Sequence, residues 1–168
     1  MNKIHQISAE HLSIEQIGEI IKNGTKLELS EDARQRIIRC REYLDNKIKE
    51  SETPIYGVTT GFGSLCKISI DKDSLSQLQK NLVMSHACGV GDRVPNDIVK
   101  IMLLLKIQSL SYGYSACQLK TVERLIDFFN NDIYPIVYTQ GSLGASGDLV
   151  PLAHLCLPLI GMGEVEYK

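Results

Sequence analysis

The chemical options of this sequence are concentrated in Gly141-Ser142-Leu143-Gly144-Ala145-Ser146-Gly147-Asp148-Leu149. Three glycines within seven residues free the backbone for tight or left-handed conformations. One reading is a turn that leads into a helix, with Ser146 or Asp148 as the cap. The other is covalent. In a sufficiently bent loop, the Gly147 amide nitrogen can attack the Ala145 carbonyl carbon. Glycine carries no β-carbon to block the approach, and alanine keeps the attacked carbonyl uncrowded. Loss of the Ser146 hydroxyl then leaves a methylidene conjugated to the new ring, an electrophile made from the chain itself. A helix starting near Asp148 would set its positive end beside the ring and favour negative charge developing there. The residues of the loop alone leave both readings open.

Other chemistries fit less well. A nucleophile elbow needs G-x-S-x-G, but Gly144-Ala145-Ser146-Gly147-Asp148 ends in aspartate. No Gly-Lys-Ser/Thr ends a phosphate loop, so a nucleotide site is not supported. His5 and His11 lack metal-ligand spacing on a shared helix face, and HExxH does not occur, so no metal is expected.

Two further segments carry reactive side chains. Tyr56-Gly57-Val58-Thr59-Thr60-Gly61-Phe62-Gly63 reads either as an aromatic packed beside a glycine hinge or as a loop presenting Tyr56. A phenol is protonated at neutral pH, so a base at this place needs activation by its surroundings. Asn81-Leu82-Val83-Met84-Ser85-His86-Ala87-Cys88-Gly89-Val90-Gly91 holds His86, which reads as a core histidine or a pocket ligand. His154, on an apolar helix, reads as structural.

Taken together the three segments resemble the aromatic amino acid ammonia-lyases and aminomutases. Residues 145–154, Ala-Ser-Gly-Asp-Leu-Val-Pro-Leu-Ala-His, are similar to the signature of that family. The 56–63 segment resembles its tyrosine loop. The 81–91 segment resembles its substrate-pocket helix, most closely that of histidine ammonia-lyase. The likeness runs from about Pro54 to the end and is weaker before it. It implies a mainly α, N-terminal helical domain of the fumarase/aspartase-like helical-bundle lyases, truncated, with the central bundle and C-terminal parts beyond this chain. The implied cofactor is 4-methylidene-imidazol-5-one (MIO) formed from Ala145, Ser146 and Gly147. The implied reaction is deamination of L-histidine to trans-urocanate, the first step of histidine degradation. Tyr56 would be the base, His86 and Gly63 would bind substrate, and Asp148 would support ring closure. A tyrosine or phenylalanine lyase, an aminomutase, or a non-catalytic helical assembly module are the alternatives. The partners implied are a small amino acid and, as in the family, further copies in a homotetramer.

The elements that must position these groups are helical. Apolar positions recur at three- and four-residue spacing over residues 12–21, closed by Asn23-Gly24, and over 33–48 behind Ser30 as cap, with Pro54 closing that region. Leu75, Leu78, Leu82 and Val83 mark a third helix. Pro95 opens a fourth, apolar almost all round from Ile98 to Leu110, as a central helix would be. A fifth covers about 119–129 and a last one about 148–160. Strand-like alternation is short and rare. From Ile133 to Gly163 Asp148 is the only formal charge, which predicts that the glycine loop lies in the core. The arginines of the second helix form a solvated face, balanced by Glu42, Asp45 and Glu50.

Composition excludes several classes. The 168 residues are 43% hydrophobic and 23% charged, ordinary for a globular domain. A net charge of −2 provides no basic field for nucleic acid or anionic lipid. Five scattered cysteines without a CxxC pair read as reduced thiols, and the polar start lacks a signal peptide's apolar run, so a cytoplasmic protein without a membrane span is expected. An incomplete domain is also expected to expose an apolar patch and self-associate.

Overall fold

Local sequence accounts for most helix limits. In a computed structural model, which describes residues 3–51 and 53–167, the order is β1 (Ile4–Ile7), α1 (Ile14–Lys22), β2 (Lys26–Leu29), α2 (Glu31–Glu50), α3 (Leu75–His86), β3 (Val90–Arg93), α4 (Asn96–Ser111), α5 (Leu119–Asn130), β4 (Ile133–Pro135), β5 (Tyr138–Gln140), α6 (Val150–Cys156) and β6 (Val165–Tyr167). Helix dominates, and the strands have only three or four residues each, as the sequence implies. Ser13 and Gln16 form a reciprocal capping box at α1, which ends at Asn23 with Gly24 at φ +58°. Ser30 Oγ accepts the Ala33 amide at 3.2 Å and caps α2. Pro95 is the N-cap of α4, one residue before the expected first-turn place.

The core is α4 packed against α5. Leu103, Leu104, Ile107, Val122, Leu125 and Phe129 are all at most 1% exposed. Cover of α4 is incomplete, since Ile98 and Leu105 remain 45% and 46% exposed. The strands make three two-stranded sheets: β1 parallel to β2 across the α1 connection, and antiparallel β3–β5 and β4–β6. Asn130 at the end of α5 takes the place of a missing strand beside β2. Its Oδ1 accepts the Leu27 amide and its Nδ2 donates to the Leu27 carbonyl, both at 2.8 Å. The charge pairing of α2 differs from the expected one. Arg41 does pair with Asp45, but Arg36 takes Asp32 at 2.6 Å and Arg34 reaches Glu123 on α5 at 2.6 Å.

Two elements bear on the chemistry. α6 is shorter than expected because Pro158 has no N–H for the His154 carbonyl, and a 3-10 turn (Leu157–Ile160) replaces the helix, ending at Gly161 with φ +75°. Val150, Ala153, His154 and Leu155 of α6 are buried, whereas α3 buries none of its residues and packs chiefly on α6. Among the described residues no helix is long and apolar enough to cross a membrane.

Asn130→Ala should cost about 1–3 kcal/mol, because the half-buried Leu27 amide and carbonyl lose their partner together. Urea unfolding measures it; an unchanged midpoint would mean that β2 does not depend on this side chain.

Candidate active site

The tyrosine loop is folded by its own hydroxyls. Thr59 Oγ1 accepts the Ile55 amide at 2.8 Å, and Thr60 Oγ1 accepts the Gly57 amide at 3.1 Å while donating to the Gly61 carbonyl at 2.9 Å. Thr60 is 2% exposed. Gly57 turns at φ +72°, a conformation that suits glycine. The result leaves Tyr56 64% exposed, its ring edge-on to Phe62 at 6.1 Å. The Gly63 amide is aimed at the Tyr56 hydroxyl from 3.5 Å. The two threonines were not singled out in the sequence; a Thr-Thr pair between two glycines is the signal that was there to find.

His86 is the last residue of α3. Its Nδ1 lies 2.8 Å from the Leu82 carbonyl, which can only accept, so the hydrogen of a neutral ring sits on Nδ1. Nε2 is then an acceptor, and no described residue donates to it.

The Gly/Ser loop departs from expectation in burial. Residues 141–149 are all exposed in this chain, Leu143 completely, whereas the flanking Val137 and Val150 are buried. The low charge of the region reflects the apolar flanks, not a buried loop. Ala145 and Ser146 stand at the centre of a turn closed by the Gly147 amide donating to the Gly144 carbonyl at 3.0 Å. Gly147 has φ +82°, and a β-carbon there would meet nothing within 4 Å, so glycine is required for its torsion and not for space.

Neither Ser146 nor Asp148 is the N-cap of α6; Leu149 is, and its side chain caps nothing. Asp148 nevertheless serves the helix start. Its Oδ1 accepts the Val150 amide at 3.2 Å and the Ser142 amide at 3.0 Å, tying the two ends of the loop together. Gly141 makes room for this carboxylate, since a β-carbon at 141 would lie 2.1 Å from Asp148 Oδ2. With only seven residues in α6, the helix-end field expected beside Ser146 is weaker than that of a longer helix.

These parts meet in one open cleft of about 390 Å³. Tyr56, Gly63, His86 and Ser146 all line it, although they come from three separate stretches of sequence. Ala145, Gly147 and Asp148 do not line it and contribute through the backbone of the loop. Apolar walls come from Phe62, Leu82, Val83, Leu149, Leu152 and Cys156. The last three were missed as site residues, though their spacing of three and four is the face of a helix. Burial pushes the Cys156 thiol up, which keeps it protonated and poorly nucleophilic beside Ser146. Among the described residues no cluster of His, Cys, Asp or Glu could hold a metal ion.

The family model described as aromatic amino acid lyase matches residues 12–168. The chain belongs to that family. It is 50% identical over 157 residues to a histidine ammonia-lyase of Deinococcus radiodurans, covering 94% of this chain and 30% of that protein. Among solved structures, a histidine ammonia-lyase from Trypanosoma cruzi superposes with a TM-score of 0.85 at 30% identity, over 98% of this chain and 31% of that one. Ergothionase from Treponema denticola superposes at 0.92 with 27% identity, over 99% and 33%. The chain thus spans about a third of the length of the curated relatives it matches.

Two outcomes are expected. Gly141→Ala should speed amide exchange at Ser142 and Val150 by displacing Asp148, and should add nothing in an Asp148→Ala background; additive effects would separate the two residues. His154, whose Nε2 accepts the Gly89 amide, is held neutral because burial lowers its pKa below the ordinary 6.5. Its contribution to stability is therefore whole above pH 6.5, declines as pH falls below that value and levels off under the lower folded pKa. The half-buried His5 acts in the same direction. Denaturation between about pH 7.5 and 5 should show a smaller loss for His154→Gln than for the parent chain; equal losses would exonerate His154.

Proposed function

We propose that this chain is the N-terminal part of a histidine ammonia-lyase, which converts L-histidine to trans-urocanate and ammonia without oxidation. The observation that carries the reading is the cleft that Tyr56, His86 and Ser146 line together. The 50% identity to the Deinococcus radiodurans histidine ammonia-lyase supports histidine over other aromatic substrates.

The chemical difficulty is a β-proton of very low acidity and an amine that leaves poorly. Each wall of the cleft answers part of it. His86 presents Nε2 as an acceptor because Leu82 holds the hydrogen on Nδ1. That acceptor matches the N–H of a substrate imidazole and orients the ring. Tyr56, exposed to the cleft and approached by the Gly63 amide, is the base for the β-proton. Leu149, Leu152 and Phe62 offer the apolar wall against which the ring would pack.

Ala145, Ser146 and Gly147 are the precursor of the MIO group. They fit it: the Ala-Ser pair already occupies a closed turn, Gly147 has the torsion of a tight loop, and Asp148 fixes both ends. Ring closure joins the Gly147 nitrogen to the Ala145 carbonyl carbon and releases one water; loss of the Ser146 hydroxyl with its α-hydrogen releases a second. When formed, MIO supplies an electrophilic carbon that draws electron density from the substrate. Asp148 supports closure by holding the loop compact. The whole enzyme is a cytoplasmic homotetramer in this reading, whose remaining substrate contacts come from sequence beyond residue 168. The open cleft and the uncovered α3 favour that arrangement.

A fusion of this chain to the remaining two-thirds of the Deinococcus radiodurans relative should form urocanate, followed by its ultraviolet absorbance. Ser146→Ala in the fusion should abolish turnover while leaving the fold unchanged, and equal rates would refute the proposal. The 168-residue chain alone should show little or no turnover, stay largely uncyclised by intact mass, and self-associate in sedimentation. A quantitative loss of two waters would show that the chain closes the ring unaided.

A further inference from the structure

The segment that follows α3 meets the last turn of α6 through one histidine. His154 is 8% exposed, and its Nε2 accepts the backbone N–H of Gly89 at 3.0 Å. An amide nitrogen can only donate, so Nε2 carries no hydrogen and the ring is neutral. Tyr138 of β5 meets the same ring edge-on, with centroids 5.2 Å apart. The partner at residue 89 has to be glycine for reasons of space. A β-carbon there would lie 2.9 Å from Val150 Cγ1 and 3.1 Å from His154 Nε2, although the torsion of Gly89 is open to other residues.

The position of this joint is what gives it meaning. Gly89 follows His86 by three residues, and Val150 follows Ser146 by four. α3 buries none of its own residues and packs chiefly on α6, so the joint lies at its main contact.

We propose that His154 is a positioning residue of the cleft: its bond to Gly89 sets where the end of α3, with His86, lies against α6 and the Ser146 loop that precedes it. The proposal uses the functional reading only in treating the cleft as a site, and its test involves neither turnover nor ring formation.

The test is nuclear magnetic resonance of the folded chain with three substitutions. His154→Leu removes the acceptor; it should speed Gly89 amide exchange about tenfold or more and shift the imidazole nitrogen signals of His86, while Leu103 and Ile107 keep their protection. His154→Gln places an amide oxygen where Nε2 was and should restore both signals. Gly89→Ala reaches the joint from the other side and should displace the His86 signals in the same way, which keeps the test decisive if the leucine variant does not fold. Unchanged His86 signals in a folded His154→Leu or Gly89→Ala variant would overturn the proposal, as would a folded His154→Gln variant that restores neither readout.

Discussion

One apolar seam, α4 against α5, carries the chain, and everything chemical hangs from it at a distance. Leu155 of α6 reaches that core and is itself fully buried. α3 does not reach it, and packs mainly on α6. The tyrosine loop in turn is organised by its own threonines. The cleft is thus built outward in steps from the seam, and its outermost part, the tyrosine loop, is held by individual hydrogen bonds. Burial at the seam is non-directional and tolerant of small errors. The outer steps rely on bonds with fixed partners, which gives them a defined geometry at the expense of stability.

The glycines around Ser146 illustrate how one residue type meets different physical demands. Gly141 exists for space, because the Asp148 carboxylate occupies the volume of its absent side chain. Gly147 exists for torsion, since its φ of +82° is rare in residues with a β-carbon. Asp148 links the two by accepting amides from both ends of the loop. A loop with no buried side chain of its own is thereby kept in one turn. The same carboxylate explains why α6 starts where it does although neither Ser146 nor Asp148 is its formal cap.

Much of this was legible in the sequence, because the features concerned are local. Ser30, Asn23-Gly24 and the three- and four-residue periodicities of α1, α2, α4 and α5 depend on neighbours within a turn or two. Tyr56, His86 and Ser146 stood out by motif, and one cleft brings them together. What escaped is non-local. The strands of three or four residues carry no alternation long enough to see, and their existence is decided by partners such as Asn130, 103 residues from Leu27. Arg34 makes its short ion pair with Glu123 on another helix and only a longer one, at 4.0 Å, with Glu31 on its own. The glycine loop lies at the surface although its lack of charge predicts core, because small uncharged residues are equally at home in a surface turn.

The missing burial of α3 has a consequence for dynamics. A helix without a single fully enclosed side chain has little free energy of its own to oppose opening. The region from the tyrosine loop through α3 is therefore expected to lose amide protection before the α4–α5 seam does. Within one short chain, the stretch that carries Tyr56 and His86 and the seam that keeps the polypeptide folded are held on different terms.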